Sequence, residues 1–255
     1  MANPKILPMD ISWITSLSAS AGSGPSYPIT NLQDYEPDTY WGSNALTNPQ
    51  HLWFDLAGSR ALNCAVLGYY DFYDDAGLVV SMSGSTNNST WTLLSNNITS
   101  TNGSGFTVLP FTAANYRYIK INMVGLHSAQ PFMGLFFVGY AVDFTTPYEL
   151  SSKTDNSQYE TSESITLDGR IRTSQVYDGR YVDELTFKLQ DATWEGLWNS
   201  TVMPITRGKL RPFFFIDADG TARYMHFVED YIPITNTRPG RYDVSIKMRE
   251  HLTTR

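Results

Sequence analysis

Hydrophobic and polar residues alternate along much of this chain with the period of two that is typical of β-strands. In residues 50–56, Leu52, Phe54 and Leu56 fall on one face of a predicted strand. Clusters of Gly, Asn and Ser separate this strand from further apolar runs at 65–70, 78–82, 106–109, 116–123 and 135–141. Short strands divided by turn residues in this way predict a β-sandwich.

The second half of the chain also has strand patterns, with one exception. The predicted strands there cover residues 185–189, 213–216, 222–228 and 242–250. The turn residues Asp217-Ala218-Asp219-Gly220 lie between two of them and predict a β-hairpin. Residues 191–198 instead predict a short helix, with Asp191 as its N-terminal cap. We therefore expect an all-β chain whose second, mainly β unit contains one short helix.

Charge divides the chain into two parts. Residues 1–150 hold 4 Lys/Arg against 10 Asp/Glu, whereas residues 151–255 hold 14 against 15. This change in composition predicts two domains, 1–145 with an N-terminal arm and 158–255, joined by a linker at 146–157. The net charge of −7 and the lack of a basic patch argue against nucleic-acid binding.

Several other functions find no support in the sequence. No apolar run approaches the length of a membrane span, and the N-terminus lacks the apolar core of a secretory signal. Cys64, the single cysteine, lies in a strand-like run and is expected to be a buried thiol. The chain has neither a Gly-x-Ser-x-Gly elbow nor a His-Glu-x-x-His motif. We predict that the protein is not an enzyme.

A motif in the first loop connects the sandwich to a known family. The order Asp-x-x-Pro-x-Thr-x-Trp is present as Asp34, Pro37, Thr39 and Trp41, and a looser strand motif follows as Gln50, Trp53, Asp55 and Leu56. Further segments of this kind are Ser83-Gly84-Ser85, Thr90-Trp91-Thr92 and Tyr116–Ile121. Residues 25–145 thereby resemble the discoidin domain, also called the coagulation factor V/VIII C-type domain. The resemblance implies a jelly-roll β-sandwich of the galactose-binding-like class.

The same resemblance implies a calcium site in the first loop. Asp34 and Thr39 match family ligand positions, and oxygen donors of this kind suit Ca²⁺. The late acidic ligand of the family is missing, because residues 134–139 read Gly-Leu-Phe-Phe-Val-Gly. The alternative is an ordered loop without metal. Trp41, which ends the loop, is expected in the core.

A second candidate site is the aromatic and acidic cluster at the end of the predicted strand 65–70. Tyr70, Phe72 and Tyr73 could stack on a sugar ring, and Asp74 could accept hydrogen bonds from its hydroxyl groups. The alternative is that these aromatic residues seal the end of the sandwich or contact a neighbouring subunit.

The second half is similar to domains of tailed-phage tail proteins, particularly distal-tail and tail-tube proteins. The similarity rests on Gly179-Arg180 before paired strands, the aromatic run 213–216 and the closing strand 242–250. It implies a structural tail component that is made in the host cytoplasm without a signal peptide and located in the virion. We expect the second domain to form a homo-oligomeric ring and to contact other tail proteins. The alternative is a carbohydrate-binding protein for host attachment, whose partner is a cell-surface glycan.

Overall fold

The strands account for most of the residues that the structure describes. The structure, a computed structural model, describes residues 3–251 except 25, 47, 73–78, 97, 99–104, 126–128, 150–152 and 166–170, with the backbone alone at 153–165 and 171–181. The strands are β1 (Lys5–Pro8), β2 (Ser16–Ala19), β3 (Trp41–Gly42), β4 (Gln50–Asp71), β5 (Val79–Ser85), β6 (Thr92–Ser95), β7 (Phe106–Val124), β8 (Phe132–Gly139), β9 (Val142–Asp143), β10 (Lys153–Ile165), β11 (Ile171–Asp191), β12 (Phe213–Ile216), β13 (Ala222–Phe227), β14 (Ile234–Arg238) and β15 (Arg241–Glu250).

The first sheet folds over on itself to make the predicted sandwich. Its strand order is β3-β8-β4-β7-β5-β6, with β2 beside β4. The beginning of β4 pairs with β2 and the end of β7, whereas the end of β4 pairs with β8. Phe54 of the first part and Phe136 of β8 are both buried, with ring centroids 4.2 Å apart. The two parts of β4 therefore lie in opposing layers around a shared core.

The second sheet draws strands from both ends of the chain. Its order is β10-β11-β15-β13-β12-β1-β9, with β14 beside β15. Lys5 of β1 pairs with Ile216 of β12, and Ile6 pairs with Val142 of β9. The N-terminal arm, which we had assigned to the first domain, thus completes the sheet of the second, because its backbone hydrogen bonds are made there.

The predicted linker also lies along this second sheet. The backbone N–H of Glu149 donates to the carbonyl of Thr186 at 2.9 Å, and Tyr148 forms a bridge with Phe187. Strand β10 begins at Lys153, inside the segment 146–157. The two-domain division stays a prediction, but the segment between the sheets is hydrogen-bonded rather than a free connection.

Each face of the second sheet packs against a different layer. Phe214 and Tyr224 face the sandwich, where the Phe137 ring lies 5.0 Å and 5.5 Å from theirs. The opposite face is covered by a helical segment made of α1 (Ala192–Leu197), a π-helix (Trp198–Val202) and α2 (Met203–Thr206). Trp198 of this segment lies 5.9 Å from the ring of Phe227. The molecule is thus a sandwich, a second sheet and a helical cover, in that order.

The helix start and the hairpin predicted for the second half agree with the structure, although the helical segment continues to Thr206. Asp191 caps α1, since its carboxylate accepts a hydrogen bond from the Trp194 N–H at 2.8 Å. The hairpin forms as β12 and β13, with Gly220 of its turn at a φ of 91°. The alternation of residues in the predicted strand 185–189 is interrupted before Leu189. A bulge after Phe187 gives Leu189 a φ of 58° and leaves it 43% exposed.

The cap provides a direct test of the helical cover. Replacing Asp191 with alanine removes the acceptor for the Trp194 N–H, so we expect the free energy of unfolding to fall by about 1 kcal/mol. Asp191→Asn retains a hydrogen-bond acceptor, so its unfolding free energy should fall by only a fraction of that amount. Urea unfolding of the two variants measures the difference. Equal stability of the alanine variant and the unchanged protein would contradict the assigned cap.

Candidate functional site

A pocket of about 500 Å³ opens where the first loop meets the start of β8. Three aromatic side chains form one side of it. The rings of Tyr27 and Tyr40 are stacked with centroids 4.4 Å apart, and Phe132 lies 5.5 Å from Tyr40. Polar side chains complete the lining, among them Asp38 and Gln130. We call this group of residues the loop-end pocket.

Short backbone contacts hold the aromatic residues in place. The N–H of Gly42 donates to the carbonyl of Tyr27 at 3.1 Å, and the Asn31 side chain donates to the carbonyl of Tyr40 at 2.9 Å. Gly42 pairs with Phe132 in the sheet. A Cβ atom at Gly42 would lie 3.3 Å from the Cβ of Tyr27, so the absence of a side chain lets that residue approach closely.

The chemistry of the loop-end pocket suits a small polar ligand with an apolar face. Tyr27 is 43% exposed and offers a ring that can lie against C–H groups of a ligand. The Asp38 carboxylate accepts hydrogen bonds from hydroxyl groups, and the Gln130 amide both donates and accepts. Since Asp38 is the only charged residue among the described residues that line the pocket, an anionic ligand would be repelled. Few polar groups converging beside aromatic rings are typical of small-molecule sites.

The predicted calcium ligands form a closed hydrogen-bonded loop. The Asp34 carboxylate accepts from the Glu36 N–H at 2.9 Å and from the Thr39 hydroxyl at 2.6 Å. The Thr39 hydroxyl also lies 3.0 Å from the carbonyl of Glu36. Calcium takes about six to eight oxygen ligands, and among the described residues no group of three or more His, Cys, Asp or Glu side chains could hold a metal ion. The hydrogen bonds among Asp34, Glu36 and Thr39 order the loop without a metal ion, and calcium binding at Asp34 and Thr39 stays a prediction.

Asp34 is therefore expected to stabilise the loop by hydrogen bonding alone. Replacing Asp34 with alanine removes both bonds to its carboxylate and should cost about 1–2 kcal/mol of unfolding free energy. The loss in melting temperature should be the same in calcium and in EDTA. Thr39→Val removes only one of the two hydrogen bonds to the Asp34 carboxylate, so it should lower the unfolding free energy by a smaller amount. If calcium raises the melting temperature of the unchanged protein and not that of Asp34→Ala, the loop binds the metal.

The second predicted cluster is buried as far as the structure describes it. Tyr70 and Phe72 are both 0% exposed, with ring centroids 4.8 Å apart. The Tyr70 hydroxyl is 2.8 Å from that of Thr107. Neither ring is available to stack on a sugar from solvent, so the structure agrees with the packing alternative at these two positions. Tyr73 and Asp74 lie outside the described residues, and their role in ligand binding stays a prediction.

Nucleophilic chemistry has no support at the cysteine. Cys64 is 2% exposed, and burial raises the pKa of its thiol to about 12. A thiol of this kind is protonated at neutral pH and therefore unreactive. The prediction of a buried, structural cysteine is confirmed.

The sequence did not show which aromatic residues come together in the loop-end pocket. Tyr27 and Tyr40 belong to the first-loop region that carries the family motif, but Phe132 and Gln130 come from a much later part of the chain, next to β3. The stacking of the two tyrosine rings is a tertiary contact without a periodic signal. A similar case is the pair His226 of β13 and His251, which follows β15 directly: their ring nitrogen atoms lie 2.5 Å apart.

Comparison with known proteins supports the family assignment of the first half. Residues 14–137 match the F5/8 type C domain. No curated protein matches the chain. Among solved structures, it is similar to chitosan-binding module 1 from a chitosanase/glucanase of Paenibacillus sp. IK-5, with 18% identity, a TM-score of 0.43 and coverage of 51% of this chain and 98% of that one.

The chain is also similar to two modules of Clostridium perfringens, with comparable identity, TM-score and coverage. One is the family 32 CBM of NanJ in complex with galactose, with 17% identity, a TM-score of 0.42 and coverage of 53% and 98%. The other is CpGH89CBM32-5 in complex with GalNAc-β-1,3-galactose, with 14% identity, a TM-score of 0.44 and coverage of 52% and 99%. No helix among the described residues is long and apolar enough to cross a membrane. The match at residues 14–137 supports the resemblance of the sandwich to the F5/8 type C domain.

Proposed function

We propose that this protein is a carbohydrate-binding protein that holds its ligand in the loop-end pocket and does not act on it chemically. The observation that carries the proposal is the position of three aromatic rings beside Asp38 and Gln130 at the end of a discoidin-like sandwich. Domains of this class bind sugars, lipids and proteins through variable loops. Among these ligands, a sugar needs both the ring faces and the hydrogen-bonding groups that converge here.

The charge of the pocket narrows the proposed ligand to neutral or amino sugars. The Asp38 carboxylate is compatible with hydroxyl groups and favours a cationic amine, whereas it repels the carboxylate of an acidic sugar. The size of the pocket, about 500 Å³, falls in the range of small-ligand sites. A terminal sugar or a short oligosaccharide is therefore the expected ligand.

A glycan array followed by calorimetry on the best ligand tests the proposal. Tyr27→Ala should weaken binding at least about tenfold, since a central aromatic contact is worth more than about 1 kcal/mol. Tyr231→Ala is a matched control, because Tyr231 is 74% exposed and belongs to the second half. It should leave affinity unchanged. A protein that binds no glycan, or a Tyr27→Ala variant that binds as tightly as the unchanged protein, would overturn the proposal.

The predicted role in a phage tail stays a prediction for the second half of the chain, together with its ring assembly and location in the virion. Its test needs the full chain. Separating the halves at residue 146 would remove β1 and β9 from the sheet that β12 belongs to. Light scattering of the intact protein would show a defined ring if the assembly prediction is right and a monomer if it is wrong.

A further inference from the structure

A second cleft, of about 460 Å³, is lined both by residues of the first half of the chain and by residues of the helical segment. Arg60, Trp13 and Tyr140 line one side of the cleft. The helical side contributes Ser200 and Thr201. The cleft shares no lining residue with the loop-end pocket. Clefts between structural layers of this kind are common positions for ligand sites.

Arg60 is the unusual residue of this cleft. Its guanidinium lies 4.7 Å from the ring centroid of Trp13, and its buried Nε atom has no hydrogen-bond partner among the described residues. By contrast, Arg117 pairs with Asp55 at 2.8 Å and Arg223 pairs with Asp183 at 2.8 Å. No salt bridge to a carboxylate of the described residues is seen for Arg60, and its side chain lines the cleft. The cation can therefore take an anionic ligand as its partner.

The helical wall supplies hydroxyl groups opposite this cation. The π-helix Trp198–Val202 buries Trp198 and Val202 on its inner side, where they are 1% and 0% exposed. Its other side presents Ser200 and Thr201 to the cleft. A π-helical turn inside a helix is rare and is frequently found at functional sites. Here it places two hydroxyl groups along the wall of a cleft that contains an arginine.

We propose that this cleft binds a small organic carboxylate whose ring lies against Trp13 and Tyr140. Arg60 pairs with the carboxylate, and the hydroxyl groups of Ser200 and Thr201 bind polar substituents of the ring. Among the lining residues Arg60 is the only charged one, so the cleft favours anions, whereas Asp38 disfavours them in the loop-end pocket. The planar guanidinium suits a carboxylate because it donates two parallel hydrogen bonds to it.

The carboxylate can be supplied by an acidic sugar or by an aromatic acid, and the test separates the two. Glucuronate and phenylacetate are titrated into the intact protein by ligand-detected NMR, with glucose and phenylacetamide as neutral matches. We expect at least one acid to bind and its neutral match not to bind. Binding of glucuronate indicates an acidic sugar, and binding of phenylacetate alone indicates an aromatic acid.

Variants assign the binding to the cleft. Arg60→Gln should weaken the bound acid at least tenfold, while Arg117→Gln, which changes an arginine elsewhere on the sandwich, should leave it unchanged. Thr201→Val tests the opposite wall without altering the charge and should weaken binding by about threefold, within the range for one hydrogen bond. Tyr27→Ala should not change the affinity for the acid. Failure of this proposal is therefore distinguishable from failure of the proposed sugar binding in the loop-end pocket. The proposal is overturned if neither acid binds, if the neutral compounds bind equally well, or if Arg60→Gln binds like the unchanged protein.

Discussion

Replacing Trp41 with alanine is expected to lower the free energy of unfolding by about 3–5 kcal/mol. Trp41 ends the first loop and is 1% exposed, in the same buried cluster as Met133 and Leu135. It also pairs with Met133 through the backbone. Truncation would leave a cavity between the first loop and β8, and that cavity lies beside the loop-end pocket. Urea unfolding monitored by circular dichroism measures the loss.

A milder change at the same position is the control. The indole N–H of Trp41 is buried without a hydrogen-bond partner in the structure, so it contributes little that phenylalanine would lack. Trp41→Phe should therefore cost much less than Trp41→Ala. An alanine variant with an unchanged unfolding midpoint would show that Trp41 does not hold the loop to the sandwich.

Phe214→Ala is expected to cost about 3–5 kcal/mol as well, because it opens the contact between the two sheets. The Phe214 ring lies 4.9 Å from Phe106, 5.0 Å from Phe137 and 4.9 Å from Tyr224. Tyr224 additionally donates its hydroxyl to the carbonyl of Tyr35 in the first loop, at 3.0 Å. Since these contacts join the sandwich to the second sheet, the unchanged protein should unfold in a single transition.

A double-mutant cycle with Phe137→Ala isolates the contact. Because the two rings touch, the combined loss should fall short of the sum of the single losses by about 0.5–1.5 kcal/mol. Calorimetric scans of the four proteins would also show whether the variants separate into two transitions. Additive losses and two transitions in the unchanged protein would show that the sheets are energetically independent.

Much of the fold could be predicted because local patterns determined it. Alternation in residues 242–250 predicted β15, in which Val244, Ile246 and Met248 are buried. The start of α1 at Asp191 and the hairpin turn at Asp217–Gly220 were predicted correctly. Their hydrogen bonds are made within a few residues, so the local sequence determines them. The position of β1 could not be predicted in this way. Its partners, including Ile216, are remote in sequence, and the short run Lys5–Pro8 carries no signal for one sheet over the other.

The candidate site was harder to predict than the fold, for a related reason. The sequence left open whether the cluster around Tyr70 binds a sugar or seals the end of the sandwich. Because β4 continues to Asp71 and its end lies next to β8, Tyr70 and Phe72 are buried. The loop-end pocket depends on a stacking contact between Tyr27 and Tyr40 that no spacing rule describes. Its prediction needed the tertiary structure.

The two clefts give the protein a clear expected pattern of selectivity. The loop-end pocket contains a carboxylate and the second cleft contains an unpaired arginine, so ligands of opposite charge should separate between them. If a neutral sugar binds in the loop-end pocket and an acid binds in the second cleft, Tyr27→Ala should weaken only the binding of the sugar. Arg60→Gln should weaken only the binding of the acid. Salt should weaken the binding of the acid more than that of the neutral sugar.

The most direct test of the central claim is a crystal structure of the protein with its best glycan from the array. We predict the sugar in the loop-end pocket, with one ring face against Tyr27 or Phe132 and a hydroxyl group within hydrogen-bond distance of Asp38. A sugar bound elsewhere on the chain, with the loop-end pocket filled only by water, would contradict the account.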